Sequence, residues 1–253
     1  MRFNNSNTYG LPVIILLGGK GSRFSKLNET PKQLAKINKK NLLINILEYY
    51  KKYDFNYFVI PLGYKSEFFY NFFNNKNNKK KYKINILKKN DQYLKKDYLN
   101  IKLFNTKRTA SKLERIYKST KYFENSFFFV TYGDGLANIN FKKQLNFFKK
   151  KKNNLVTVFV SRSQYGHVVS GNQNKVKKFE EKPYFFSPIN IGYYILNKND
   201  LLKFYKNKME LENDYLKILI RKGLLYAYNH NGFFFNIDNK KDLDEVKKKF
   251  KGV

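Results

Sequence analysis

Between residues 12 and 135 the chain alternates apolar runs of strand length with amphipathic stretches of helix length. "PVIILL" (12–17) reads as a buried strand. "NLLINILEYYKKY" (41–53) has apolar residues at 42, 43, 46, 47 and 50, the stripe of a helix. "NYFVIPL" (56–62) is a second strand, followed by a helix over 65–73, and "KINILKK" (83–89) is a third. "TASKLERIYKST" (109–120) is helical, with Leu113, Ile116 and Tyr117 on one face. "SFFFVTYGDG" (126–135) is a continuous apolar strand that ends in a polar turn. This alternation predicts βαβ units and a largely parallel sheet.

After residue 150 the rhythm changes. "NLVTVFVSRS" (154–163), "NKVKKFEEKP" (174–183) and "NIGYYILNK" (190–198) read as strands with short connections. Helices follow over 199–207 and 212–222, then a strand over 224–229, "GFFFNID" (232–238) and a terminal helix over 239–250. The lysine tract at 76–83 reads as a loop. With no linker and no repeat, the expectation is one α/β domain over 1–253, a mixed, mainly parallel sheet flanked by helices.

A chain of 253 residues can bury a substantial core. Without cysteine, disulfides and thiol chemistry are excluded. No apolar run has membrane-spanning length, and "MRFNNSNTYGLP" lacks an apolar h-region, so the expectation is a cytoplasmic protein with no membrane partner. The formal net charge is +32. Lysine and asparagine are spread over the whole chain, and the phenylalanine runs are continuous, as in buried strands. A nucleic-acid surface would instead interleave aromatics with cations on one strand, so no nucleic-acid partner is expected. The charge should raise encounter rates with anionic substrates.

One stretch carries more chemistry than the rest: "VIILLGGKGSRFSKLNETPKQLAKI", residues 13–37. A strand runs straight into a glycine-rich loop, followed by Arg23 and Lys32. In an open parallel sheet, ligands bind at the carboxyl ends of the strands. Glycines there let backbone N–H groups approach a phosphate, and the two cations supply charge that amides cannot. The loop is neither a P-loop nor a dinucleotide fingerprint.

"LLGGKGSRF…TPKQL" resembles the signature loop of the sugar-phosphate nucleotidyltransferases. The likeness continues through "FVIPLGYKSEFF" (58–69), "FVTYGDGLANI" (129–139), "FEEKP" (179–183), "INIGYYIL" (189–196) and "GLLYAYNHNGFFFNIDNKKDLDEV" (223–246), in the family's order. The closest branch is the glucose-1-phosphate cytidylyltransferases, whose F-x-Y-G-D-G and G-F-W-x-x-M-D-T are echoed by "VTYGDG" and "GFFFNIDN". The resemblance implies a Rossmann-like nucleotidyltransferase fold, with a nucleotide-binding half over about 12–140 and an acceptor-binding half over about 141–253. It implies transfer of CMP from CTP to a phosphorylated acceptor, with release of pyrophosphate.

Residue by residue, the resemblance places Leu17, Gly18, Gly19, Gly21, Ser22 and Arg23 at the triphosphate, and Thr109 and Ser111 on the nucleotide side. Arg23 and Lys32 take the catalytic roles, Lys32 neutralising charge as pyrophosphate leaves. Asp134 and Asp238 would share one Mg²⁺, a hard ion suited to carboxylate oxygens. On the residues alone, Asp134 is equally a turn residue and Asp238 equally the N-cap of the helix that starts at 239. Glu181 and Lys182 match the acceptor-binding pair, and Tyr132 and Asn190 also fall at acceptor-side positions.

Three segments depart from the family. Its T-G-G-R is Thr109-Ala110-Ser111-Lys112, its R-[FY]-G is Gln164-Tyr165-Gly166, and its N-G-G is Asn190-Ile191-Gly192. The last two lie on the acceptor side and suggest an acceptor other than glucose 1-phosphate. Relatives encoded in bacterial capsule loci act on phosphorylated L-glutamine, towards a phosphoramidate decoration, and that acceptor is the first expectation. Glucose 1-phosphate, giving CDP-glucose, is the alternative. A homo-oligomer is left open. A glycosyltransferase of GT-A type would need a D-x-D motif, and "YGDGLA" offers one aspartate.

Overall fold

The computed structural model describes residues 8–17, 30–88, 91, 94–161, 163, 165–184 and 187–250. The first strand, β1 (Pro12–Leu16), is buried throughout. A 3-10 turn (Lys32–Leu34) and a small ribbon of β2 (Lys36–Ile37) and β3 (Lys40–Asn41) lead into α1 (Leu42–Lys51). Asn41 caps α1, its side chain accepting from the Ile44 N–H. Next come β4 (Tyr57–Leu62), α2 (Ser66–Asn74), α3 (Lys76–Tyr82), β5 (Ile84–Ile86), β6 (Leu99–Asn105) and α4 (Lys112–Ser119). β7 (Phe127–Tyr132), β8 (Gly135–Ala137) and α5 (Phe141–Lys151) close this half of the chain.

The remainder is β9 (Asn154–Phe159), the hairpin of β10 (His167–Ser170) and β11 (Val176–Glu180), β12 (Ile189–Asn197) and α6 (Lys198–Phe204). A π-helical turn (Leu211–Tyr215) then runs into α7 (Leu216–Arg221), followed by β13 (Leu225–His230), β14 (Phe234–Asn236) and α8 (Lys240–Lys249).

Eight strands form one sheet in the order β13-β9-β12-β7-β1-β4-β6-β5. All neighbours are parallel except β12, which runs antiparallel to both β7 and β9. The mixed, mainly parallel sheet expected from the alternation is therefore present. Strand periodicity divides its two faces. Val13 and Ile15 join one core with α1, α2, α5 and α8. Ile14 and Leu16 join another with α4, α6 and α7. Among the described residues, no helix is long and apolar enough to cross a membrane.

Local expectations change. The lysine tract is a helix, not a loop. Asn75 caps α3 by accepting from the Asn78 N–H, and Lys83 ends it in the left-handed conformation. Two larger elements, β6 and α5, and the short strands β2, β3, β8 and β10 had no counterpart in the sequence reading.

Candidate active site

The site is assembled where β1 and β7 end side by side, with Leu16 in register with Tyr132. Gly133 follows at once, its N–H donating to the Leu16 carbonyl at 3.3 Å. A Cβ at Gly133 would overlap the Leu17 side chain, so only glycine lets the two strand ends meet so closely. Asp134 then projects at the carboxyl edge of the sheet.

Asp238 is brought to Asp134 by a short antiparallel ribbon in which Phe234 pairs with Ala137 and Asn236 with Gly135. The Ile237 N–H continues the ladder to the Asp134 carbonyl at 3.0 Å. Asp238 is not the cap of α8. Asn239 fills that role, with Asp242 completing a capping box. Asn236 Nδ2 donates to the Asp238 Oδ2 at 2.8 Å.

Lys32 enters from the 3-10 turn after Pro31. Its Nζ lies 3.0 Å from Asp134 Oδ2 and 3.1 Å from Asp238 Oδ1. Two carboxylates thus flank one cationic centre that is itself nearly buried. Both donors are hard oxygens, and both are about a third exposed, so the pair fits a divalent ion that also takes substrate and water oxygens. Among the described residues, no group of three or more metal-ligating side chains exists. Gly18, Gly19, Gly21, Ser22 and Arg23 lie outside the described residues, as does Gln164.

Of the residues expected on the nucleotide side, Thr109 is exposed just before α4. Ser111 is the cap of α4: its hydroxyl accepts from the Glu114 N–H at 3.0 Å and donates to the Met209 carbonyl at 2.7 Å. Its one hydroxyl proton is therefore already placed. On the acceptor side, Glu181 and Lys182 follow β11, both well exposed, with Lys182 Nζ 3.9 Å from Glu181 Oε1. Lys182 has φ of 49°, a left-handed conformation uncommon outside glycine. Among the described residues, that ion pair joins Lys182 to no other expected site residue.

Asn190 and Tyr132 meet through a third residue, Tyr194. Asn190 Nδ2 donates to the Tyr194 hydroxyl at 2.6 Å, and that hydroxyl lies 3.0 Å from the Tyr132 hydroxyl. The chain of contacts goes on. Tyr132 and Lys112 both donate to Glu212 Oε1, and Lys112 Nζ is 3.3 Å from the Tyr132 hydroxyl. Burial alone would raise the Glu212 carboxyl, but the hydrogen bonds from Lys112 and Tyr132 hold it below its ordinary range. Burial, then the Tyr194 and Glu212 charges, push the Tyr132 phenol far up. Burial pushes Tyr194 up to about 12.

Sequence reasoning missed Tyr194 and Glu212. Glu212 sits on the π-helical turn, a feature that often marks functional positions. "MELENDY" reads only as an ordinary helix start, so nothing in the sequence pointed to it. The expectation that Ile191 changes the acceptor side is corrected. Its side chain is 3% exposed and belongs to the core under the sheet, with Tyr193 and Ile195. Strand alternation turns it to the face opposite Asn190.

The family described as "Nucleotidyl transferase" matches residues 12–244. A probable glucose-1-phosphate cytidylyltransferase of Bacillus subtilis (strain 168) is 32% identical over 248 residues, which are 94% of this chain and 95% of that protein. The glucose-1-phosphate cytidylyltransferase of Salmonella typhimurium is 28% identical, over 92% of this chain and 93% of its own. Among solved structures, a putative glucose-1-phosphate thymidylyltransferase from Bacillus anthracis superposes with a TM-score of 0.71 at 16% identity, covering 96% of each chain. That likeness carries the fold alone.

Proposed function

The chain belongs to the nucleotidyl transferase family, and on that premise we propose that it transfers CMP from CTP to a small phosphorylated acceptor. The observation that carries the reading is Lys32 held between Asp134 and Asp238 at the carboxyl edge of the sheet. In the proposed reaction an acceptor phosphate oxygen attacks the α-phosphorus of CTP in line. The new P–O bond forms as the bond to the β-phosphate breaks, and pyrophosphate leaves. No side chain needs to become covalently attached, so the protein works by position and charge.

Asp134 and Asp238 would hold Mg²⁺, which when bound offsets phosphate charge. Lys32 supplies a cation beside the leaving pyrophosphate. Arg23, in the loop after Leu17, would clamp the triphosphate, and Lys182 would meet the acceptor phosphate.

Glucose 1-phosphate becomes the first acceptor. Support comes from the two relatives named for that sugar phosphate, and from Ile191, whose burial removes one argument for a changed acceptor. Phosphorylated L-glutamine is kept as a second reading for one reason. Gly166, in the segment where the family carries R-[FY]-G, packs against Glu181, a Cβ there falling 3.0 Å from Glu181 Oε2. Gly166, the last residue of that altered segment, therefore lies beside the proposed acceptor pair.

Pyrophosphate release measured over CTP, UTP, GTP, ATP and dTTP, each with glucose 1-phosphate and with phosphorylated L-glutamine, tests the proposal. The expected best pair is CTP with glucose 1-phosphate. A kcat/KM higher for UTP or dTTP removes the cytidylyl assignment. Turnover of the glutamine phosphate alone selects the second reading.

A further inference from the structure

Arg115, on the second turn of α4, is 6% exposed. Its Nη1 donates to the Leu17 carbonyl at 2.8 Å and its Nε to the Ala110 carbonyl at 3.2 Å. Among the described residues it has no carboxylate within ion-pair distance. Its sequence neighbour Glu114 is taken by Lys118, at 2.5 Å. Gly63, directly after β4, packs against the same guanidinium, and a Cβ there would lie 2.8 Å from Cζ and overlap Nη2. A buried cation is thus wedged between the carboxyl ends of β1 and β4, and among the described residues its hydrogen bonds go to neutral carbonyls.

That arrangement is costly. A buried charge without a counter-charge loses its hydration and regains only dipolar contacts. Burial accordingly works against the charged form of Arg115, and the Glu114 charge offsets that only in part. A hydrophobic residue could fill the space, so the location of the charge needs a reason. Leu17 is the last described residue before the glycine-rich segment.

We propose that Arg115 is a positioning residue for the nucleotide side of the site: it fixes the Leu17 carbonyl at the end of β1 and keeps a positive charge, with no carboxylate at ion-pair distance among the described residues, at the sheet edge where the triphosphate would bind. This rests on the reading that a nucleoside triphosphate binds at that loop. Arg115 acts through Leu17 and through its field, and the proposal assigns it no contact with the reacting atoms.

Two independent perturbations reach the same guanidinium. Arg115→Met removes the charge and both hydrogen bonds while keeping most of the volume. Gly63→Ala leaves Arg115 in the sequence and displaces its end group. Steady-state kinetics would be run on the full chain with CTP and the acceptor varied in turn, alongside melting temperatures. Both variants are expected to raise KM for CTP by about tenfold or more while KM for the acceptor stays within about twofold. Arg115→Lys, which keeps the charge but not the two-carbonyl grip, should fall between Met and wild type.

A plain packing role would give a different pattern: a lower melting temperature, with both KM values unchanged or raised together. Either version of that pattern overturns the proposal. If the unaltered protein gains no thermal shift from any of the five triphosphates, the nucleotide reading fails and takes this proposal with it. If it binds CTP and both variants bind equally well, only the role of Arg115 fails.

Discussion

Lys32 Nζ lies 3.1 Å from Asp238 Oδ1, although 206 positions of chain separate the two residues. The same ammonium is 3.0 Å from Asp134. A lysine in this place does what a divalent ion would do between two carboxylates: it offsets their mutual repulsion.

Lys32 and a divalent ion should therefore compete. Lys32→Ala is expected to bind Mn²⁺ more tightly than wild type in the absence of nucleotide, by roughly tenfold, because two facing carboxylates lose their internal cation. It should nonetheless turn over more slowly, since the charge beside the leaving pyrophosphate is gone. Asp134→Ala and Asp238→Ala should each lose about 10³-fold in rate. Unchanged Mn²⁺ affinity in Lys32→Ala would show that the ammonium does not occupy the ion's place.

Gly192→Ala should damage the acceptor side through Tyr132. Gly192 has φ of 75°, and a Cβ there would stand 2.5 Å from the Tyr132 ring. The left-handed conformation alone costs an L-residue about 1–2 kcal/mol. With the ring displaced as well, the melting temperature is expected to fall by roughly 4–8 °C. Acceptor KM should rise more than KM for CTP. A variant with native melting behaviour would mean that the strand relaxes at no cost.

The alternation of apolar runs made the parallel sheet legible, because β1, β4 and β7 are buried nearly throughout and show it in their residues. β6 escaped because two buried polar residues interrupt its buried apolar ones, Leu99, Ile101 and Phe104. Asn100 is fully buried, with Nδ2 donating to the carbonyls of Asn56 and Lys95, and Lys102 is buried two residues on. α5 escaped because Phe141, Gln144, Leu145 and Phe148, its buried face, are set among lysines. α3 has no buried residue at all, so its lysine tract shows no apolar face. The two aspartates stood out as candidates because each closes a recognisable motif, and the fold brings both to Lys32. Glu212 and Arg115 could not, since the partners that define them, Tyr132 and Leu17, lie 80 and 98 positions away.

Lys182 should act on the acceptor alone. It is exposed, lies beyond β11, and is held left-handed between Glu181 and Pro183. Strained backbone of this kind persists where the fold or a ligand demands it. Lys182→Ala is expected to raise acceptor KM by about tenfold with little change in KM for CTP. Lys182→Gly should do the same while raising the melting temperature slightly, because glycine accepts the positive φ. A rise in KM for CTP alone would remove Lys182 from the acceptor side.

Glu212 should make both acceptor binding and acid stability depend on its charge. Its carboxylate takes hydrogen bonds from Tyr132 and Lys112, and Tyr132 passes the constraint through Tyr194 to Asn190. The Glu212 carboxyl is held below its ordinary value of 4.5. A folded-state value below the unfolded one adds stability above the unfolded value, and that stability is lost as pH falls through the folded value. Glu212→Gln cannot titrate, so it should flatten part of the loss of stability below about pH 4.5. At neutral pH it should be less stable than wild type, since the Lys112 ammonium loses its counter-charge. Kinetically, a neutral amide still accepts from Tyr132, but the bond is weaker than one to an ionised group. Acceptor kcat/KM should fall by about tenfold, which corresponds to roughly 1.4 kcal/mol. Glu212→Ala should fall further, leaving the Tyr132 hydroxyl and Lys112 without their common acceptor. Acid unfolding of the Gln variant that superimposes on wild type would mean that Glu212 is as freely titrating in the fold as in the unfolded chain. Equal acceptor kinetics in all three proteins would mean that the hydrogen-bonded chain ending at Asn190 does not carry position to the substrate.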